Sequence, residues 1–266
     1  LTLAPYGKGG ANNDFTINGE RLVEIISTPI KDPEFRPSRL NINTPLITRI
    51  NLNGDTMLRG QLDVSGSIRL QSIDIRGTQI TSVILPTAKL LSDIRLGGYL
   101  TELEIKDLPS LSTLTLDGYT YLTSFVIGDN VGSLDLYNTI AELYDAKHNE
   151  TDENRQLRKL EVRQVQWENV TADFLRWLVN VPNVKVTGTI SLASTEYMTF
   201  ELKRALMDKF GNIDDHNNPL TVNYVQRSIS NAQIGGDNTF RTSGTRQFVI
   251  IPNSPNANNL VSLEWS

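Results

Sequence analysis

The sequence predicts a β-rich α+β fold: a parallel β solenoid, a helix-containing C-terminal cap, and a partial β segment at the end. Three observations carry this expectation. One six-residue phrase recurs nine times between Ile47 and Leu136. Each phrase closes on the apolar–x–apolar alternation of a strand with one buried face. After residue 166 the apolar spacing changes to that of helices alternating with strands.

The phrases are ITRINL (47–52), RGQLDV (59–64), LQSIDI (70–75), ITSVIL (80–85), LSDIRL (91–96), LTELEI (100–105), LSTLTL (111–116), LTSFVI (122–127) and VGSLDL (131–136). The pattern is apolar-x-x-apolar-x-apolar, broken at Arg59. About ten residues cannot enclose a core, but two copies form one winding with a strand on each side. Windings stacked roughly 4.8 Å apart through parallel pairing bury what one repeat cannot. On these phrases the chain resembles a leucine-rich-repeat solenoid, of the roughly 21-residue bacterial type written as two successive LxxLxL halves. The alternation predicts that Ile73, Ile75, Ile94, Leu96, Leu114 and Leu116 are buried, and that Asp74, Arg95 and Thr115 are exposed.

Composition narrows the function. A net charge of −5 argues against nucleic acid, whose phosphates demand a basic surface. No apolar run reaches the roughly 18 residues of a membrane span, so no membrane insertion is expected within this chain. The absence of cysteine excludes disulfides, thiolate metal sites and a cysteine nucleophile. The chain starts at Leu1 without a signal-like segment, which reads as a mature product or an excised fragment.

Residues 1–44 lack the phrase and read as an N-terminal cap over the open end of the array, with RLVEII (21–26) as their apolar cluster. GKGG (7–10) lacks the Gly-Lys-Ser/Thr ending of a phosphate loop and reads as a turn. Residues 45–165 form the solenoid. Taking alternate copies, one outer face carries Arg49, Asn51, Asp74, Arg76, Asp93, Arg95, Thr115, Asp117, Asp135 and Tyr137; the other carries Asp63, Ile84, Glu104, Lys106 and Val126. The first face is a ladder of mixed charges, read either as solvated strand surface with cross-strand pairing or as a recognition face. IAELYD (140–145) reads as a degenerate tenth copy. A charged insertion (146–156) follows, with His148 beside Glu150, Asp152 and Glu153, and LRKLEV (157–162) restores the phrase.

Residues 166–226 form α/β terminal windings and a cap. TADFLRWLVN (171–180) places Phe174, Leu175, Leu178 and Val179 on one helical face, with Thr171 as N-cap. NVKVTGTISL (183–192) and LTVNYV (220–225) alternate as strands. TFELKRALMDKFG (199–211) is a helix capped by Thr199 and stopped by Gly211. NIDDHNNP (212–219) offers oxygens from Asp214, Asp215, Asn217 and Asn218 but lacks a calcium-hand spacing, and reads as a polar turn. Residues 227–266 read as three short strands: AQI (232–234), RQFVII (246–251) and NLVSLEWS (259–266). The last of these resembles the V-x-L-x-W-S strand of bacterial immunoglobulin-like domains. About 40 residues cannot close such a sandwich of about seven strands, so the protein is expected to continue past Ser266.

No serine elbow, nucleotide loop or histidine cluster is present; the two histidines (His148 and His216) cannot make a histidine-rich zinc site. Carboxylates on a flat strand face beside arginines stay ionised rather than serving as acid and base. The expectation is a non-enzyme without cofactors. Repeat arrays beside immunoglobulin-like domains resemble exported surface proteins of gut Bacteroidales and structural or tail-associated proteins of their phages. That resemblance implies an extracellular, cell-surface or virion location. The implied partners are a protein or glycan on a surface, or neighbouring virion subunits; an accessory domain of a glycan-active enzyme is a third option. The candidate binding residues are Asp74, Arg76, Asp93, Arg95, Asp117, Asp135 and Tyr137.

Overall fold

The structure, a computed structural model, describes residues 14–27, 37–132, 134 and 136–225, together with two short strands at 233–235 and 249–251. The described chain is rich in parallel sheet and carries three helices, a β-rich α+β architecture. By contacts it divides into two compact units. One comprises Leu1–Arg163 with Val181–Val186, the other Gln164–Asn180 with Thr187–Ser266.

The first unit is built from β1 (Asp14–Asn18), β2 (Glu24–Ile26), β3 (Arg39–Asn43), β4 (Arg49–Asn51), β5 (Arg59–Asp63), β6 (Ser72–Asp74), β7 (Gln79–Ile84), β8 (Asp93–Leu96), β9 (Glu102–Ile105), β10 (Thr113–Leu116) and β11 (Ser124–Ile127). Consecutive strands fall alternately into different sheets. β1–β3–β5–β7 form one parallel sheet, β2–β4–β6–β8–β10 a second, and β9 pairs in parallel with β11. The register places Ile25, Ile50, Ile73 and Ile94 in one line across the second sheet, each at most 1% exposed. Ile75, Leu96 and Leu116 are buried as expected. Leu114, next in that line, is only half-buried, because β10 is the end strand of its sheet and has a neighbour on one side. Asp74 and Arg95 are half-buried rather than exposed, whereas Thr115 is exposed.

The second position of the phrase is Ser or Thr in six of the nine copies, and the structure shows why. Thr81, Thr101 and Thr123 donate their hydroxyls to the carbonyls of Gly60, Thr81 and Thr101, 20 to 22 residues earlier in the chain. Thr48, Ser92 and Ser112 donate to the carbonyls of Val23, Gln71 and Ser92 on the other sheet. Two hydroxyl ladders therefore run along the array beside the backbone pairing.

Four features depart from the expected array. Among the described residues parallel pairing already starts at Asp14, with Asp14–Asn18 and Arg39–Asn43 in one of these sheets and Glu24–Ile26 in the other. Arg59 is not a broken first position. Buried Leu58 takes that slot, and the pairing with β7 shifts at Gly60/Gln61, where Thr81 is left without a register partner. Gly60 is obligatory there: its φ is +76° and a Cβ would lie 2.0 Å from the Ser38 carbonyl oxygen. The ninth copy forms no strand at its described positions, and the tenth lies inside helix α1 (Tyr137–Lys147). There Ile140, Leu143 and Lys147 are buried at helical spacing; apolar-x-x-apolar fits a helix as well as a strand entry. Finally Val126, expected outward and exposed, is buried. Its register neighbours Glu104 and Glu161 are drawn into ion pairs with Lys106 and Arg163, and their aliphatic stems flank it.

The phrase resumes in β12 (Lys159–Val170), whose first residues pair in parallel with β11 and bury Leu160 and Val162. In the second unit α2 (Ala172–Asn180) and α3 (Phe200–Phe210) pack together around strand pairing between β13 (Asn183–Leu192) and β14 (Leu220–Asn223), also parallel. Trp167 meets Phe174 edge-on with centroids 5.6 Å apart. Leu175, Leu178, Ile190, Leu202, Leu206, Ile213 and Leu220 are buried. Val179, Val184, Ala205, Phe210 and Tyr224, expected inward, are half-buried. Thr171 and Thr199 cap their helices, accepting from Phe174 N at 3.1 Å and Leu202 N at 3.2 Å. Further on, β15 (Gln233–Gly235) and β16 (Val249–Ile251) pair antiparallel. The third expected strand, with Val261, Leu263 and Trp265, lies outside the described residues, as does GKGG (7–10).

Candidate functional site

The outer face of the β2–β4–β6–β8–β10 sheet follows from the pleat: residues flanking each buried isoleucine point the other way. Register brings Glu24, Arg49, Ser72, Asp93 and Thr113 into one row, and Ile26, Asn51, Asp74, Arg95 and Thr115 into the next. Arg76 and Asp117 stand beyond the strand ends, with Asp117 Oδ2 accepting from Gly77 N at 3.3 Å.

The charges are already paired. Arg76 Nη2 reaches Asp74 Oδ2 at 2.7 Å while its Nε reaches Oδ1 at 3.0 Å, a bidentate fork. Arg95 pairs with Asp93 at 3.1 Å and Arg49 with Glu24 at 3.3 Å. Burial alone would raise the Asp74 carboxyl. Hydrogen bonds from the Arg76 guanidinium and backbone N–H, reinforced by Arg95, outweigh it and hold Asp74 below its usual value. The Arg76 guanidinium is correspondingly raised by Asp74. Asp74 has a local task too. Its Oδ1 accepts from Arg76 N at 3.1 Å, closing the strand in a turn that Asn51 and Asp63 repeat with Asn53 N and Ser65 N.

Of the residues expected in the site, Asp74, Arg76, Asp93, Arg95 and Asp117 do come together on this face. The fields of Asp74, Asp117 and Asp93 all reach Arg76. Tyr137 opens α1 and does not sit on a strand of the sheet; Asp135 lies outside the described residues. The face therefore presents a fixed pattern of charge and amide groups.

A second polar cluster escaped the sequence reading. In the second unit Lys203 Nζ lies 2.6 Å from both Asp214 Oδ2 and the Tyr224 hydroxyl, and that hydroxyl donates to Asp214 Oδ1 at 3.1 Å. The three line an open cleft of about 430 Å³ with His216, Thr221, Val222 and Asn223. Burial would lower the Lys203 ammonium, but bonds to Asp214 and Tyr224 raise it on balance; burial raises the Tyr224 phenol despite Lys203. Both keep their protons at neutral pH within the cluster. It ties α3 to the turn after it and to the end of β14. The acids of that turn are similarly engaged, Asp215 Oδ1 accepting from Asn217 N at 2.9 Å. Asn218 donates to the Phe210 and Leu220 carbonyls. In the charged insertion, Glu150 and Asp152 accept from backbone N–H groups of Asp152 and Asn154, as a solvated turn does.

Also unanticipated is an exposed stack of Tyr99 and Tyr121. Its sequence signal is positional: each tyrosine immediately precedes a phrase, in copies six and eight. Comparison with known proteins finds no matching family model, no similar curated protein and no similar solved structure.

Proposed function

We propose that the chain is a non-catalytic extracellular recognition or adhesion module, a leucine-rich-repeat-type solenoid belonging to a bacterial cell-surface protein. The observation that carries this reading is the flat outer face of the β2–β4–β6–β8–β10 sheet, with its pre-paired Asp74–Arg76 and Asp93–Arg95 forks. Pre-pairing fixes long side chains before a ligand arrives, which lowers the ordering cost of binding. The alternate distribution of strands, the buried isoleucine line and the hydroxyl ladders support the solenoid assignment. The antiparallel β15–β16 pair supports an immunoglobulin-like start near the C-terminus. Ligands of this face are a surface protein or glycan.

One observation favours a second reading, a structural or tail-associated virion protein. Val23, Leu46, Ile68 and Leu90 are 54%, 37%, 59% and 55% exposed and recur about once per winding. A periodic aliphatic edge suits a permanent neighbour in an assembly.

Glycan-array and cell-binding assays on the double variant Arg76→Glu/Arg95→Glu separate the two. Recognition through the face predicts loss of binding by tenfold or more, with Arg76→Gln/Arg95→Gln as a milder variant that preserves the fold. Undiminished binding after both substitutions sinks the face. A wild-type chain that binds no surface but co-assembles with virion subunits establishes the second reading.

A further inference from the structure

We propose that the corner formed by Tyr99, Tyr121 and Arg155 is a binding site for a neutral sugar ring. The inference rests on the reading of the chain as a recognition module but not on the charged sheet face. Tyr99 and Tyr121 stack with ring centroids 5.4 Å apart and planes 12° from parallel. The Arg155 guanidinium continues the stack, 5.1 Å from the Tyr121 centroid. Stacking of this kind is usually enclosed, yet Tyr99 is 44% and Tyr121 37% exposed. Among the described residues no other ring or cation lies against Tyr99, and neither phenol hydroxyl has a hydrogen-bond partner.

The corner is also held in place from beneath. Lys147 is 4% exposed, and its Nζ donates to the carbonyls of Thr120, at 2.8 Å, and of Arg155. Those carbonyls belong to the residue before Tyr121 and to Arg155 itself. A single buried ammonium at the end of α1 therefore fixes the two backbone points that carry the upper half of the stack. Exposed rings held in a fixed stack are a preorganised surface, the arrangement that lowers the ordering cost of a small ligand.

Size and charge decide the occupant. A tyrosine offers at most about 150–250 Å², so these exposures leave roughly 60–110 Å² on each ring. A protein partner covers about 800 Å² per side, far more than this corner supplies. Nucleobases stack on such rings only where cations neutralise the backbone. Here the sole stacked cation is paired with Asp152 at 3.5 Å, and the whole chain carries −5. A locally neutral site excludes uronic and sialic acids on the same ground. What remains is a neutral pyranose. Its apolar C–H face lies on the uncovered face of Tyr99. A hydroxyl at its edge meets the Tyr99 phenol.

The test is titration of the full 266-residue chain with cello-, malto-, manno- and xylo-oligosaccharides, followed by calorimetry and by saturation-transfer NMR on the tyrosine ring protons. At least one neutral oligosaccharide is expected to bind the wild type and to receive transfer from Tyr99. Tyr99→Ala weakens it tenfold or more and Tyr99→Phe only a few fold. Failure of every oligosaccharide, or binding that survives Tyr99→Ala, overturns the site. Binding lost with Arg76→Gln/Arg95→Gln but not with Tyr99→Ala overturns it too, while leaving the charged face as the recognition surface. The wild-type NMR readout stands even if a variant fails to fold.

Discussion

Asp74 is where local structure and surface recognition meet in a single side chain. It accepts three hydrogen bonds from Arg76, one of them from the backbone that ends β6. Its ionised form is therefore favoured in the folded chain, and its carboxyl is held below the usual value. The stability this contributes is fully present above the unfolded carboxyl's titration and is lost as pH falls through the lowered folded value. Asp74→Asn should cost about 1 kcal/mol at neutral pH, as partly exposed forked pairs do. It should also flatten the acid limb. Urea midpoints at about pH 7 and about pH 2.5 should differ less in the variant than in the wild type. An equal difference would mean the fork is too solvated to matter. The placing of Asp74 on an outer face was legible from alternation alone, since strand side chains take opposite sides in turn. Its fork with Arg76 was not, because two residues on one face can equally reach across to neighbouring strands. Tyr137 was misplaced for a different reason: its face assignment assumed a ninth strand, and no strand is present at the described positions of that copy.

Among the elements, the hydroxyl ladders are the clearest case of a sequence signal that goes unread. Thr81, Thr101 and Thr123 occupy the slot that the phrase leaves unspecified, yet each bonds a carbonyl 20 to 22 residues earlier. The Thr81 and Thr101 carbonyls already accept the backbone N–H of Thr101 and Thr123, at 3.0 and 2.8 Å, so the hydroxyl is a second donor to an oxygen with two lone pairs. Replacing one such threonine by Val leaves no orphaned group, keeps the strand preference, and should cost about 0.5 kcal/mol, the low end for a hydrogen bond. Replacing all three should cost roughly 1.5–3 kcal/mol if the rungs act together. A triple variant with an unchanged urea midpoint would reduce the ladder to decoration. The strand part of the fold was readable because the closing apolar–x–apolar triplet admits only a period of two. The opening apolar-x-x-apolar is shared with helices, and that is where the reading failed, at Ile140 and Leu143 in α1. The earliest strands were missed because Pro37 stands in a first slot and an irregular spacing precedes it. Even so, Leu40 and Ile42 keep the closing alternation.

At the scale of the whole molecule, the division into two compact units raises the question of cooperativity, since such units can unfold separately. The chain provides its own probes. The described tryptophans, Trp167 and Trp177, belong to the unit made of Gln164–Asn180 and Thr187–Ser266, while Ile73 lies in the other. Two strands, β12 and β13, are continuous across that division, their first residues assigned to one unit and their later ones to the other. A strand that loses pairing along half its length loses the anchor for the remainder, so a defect in the array should reach the tryptophans. Ile73→Ala removes a side chain 1% exposed from the middle of the isoleucine line and should cost roughly 2–5 kcal/mol. In urea, tryptophan emission and far-ultraviolet circular dichroism should then move to lower midpoints together and stay superimposed. A circular dichroism transition that shifts while tryptophan emission stays fixed would mean that the two units unfold independently despite their shared strands.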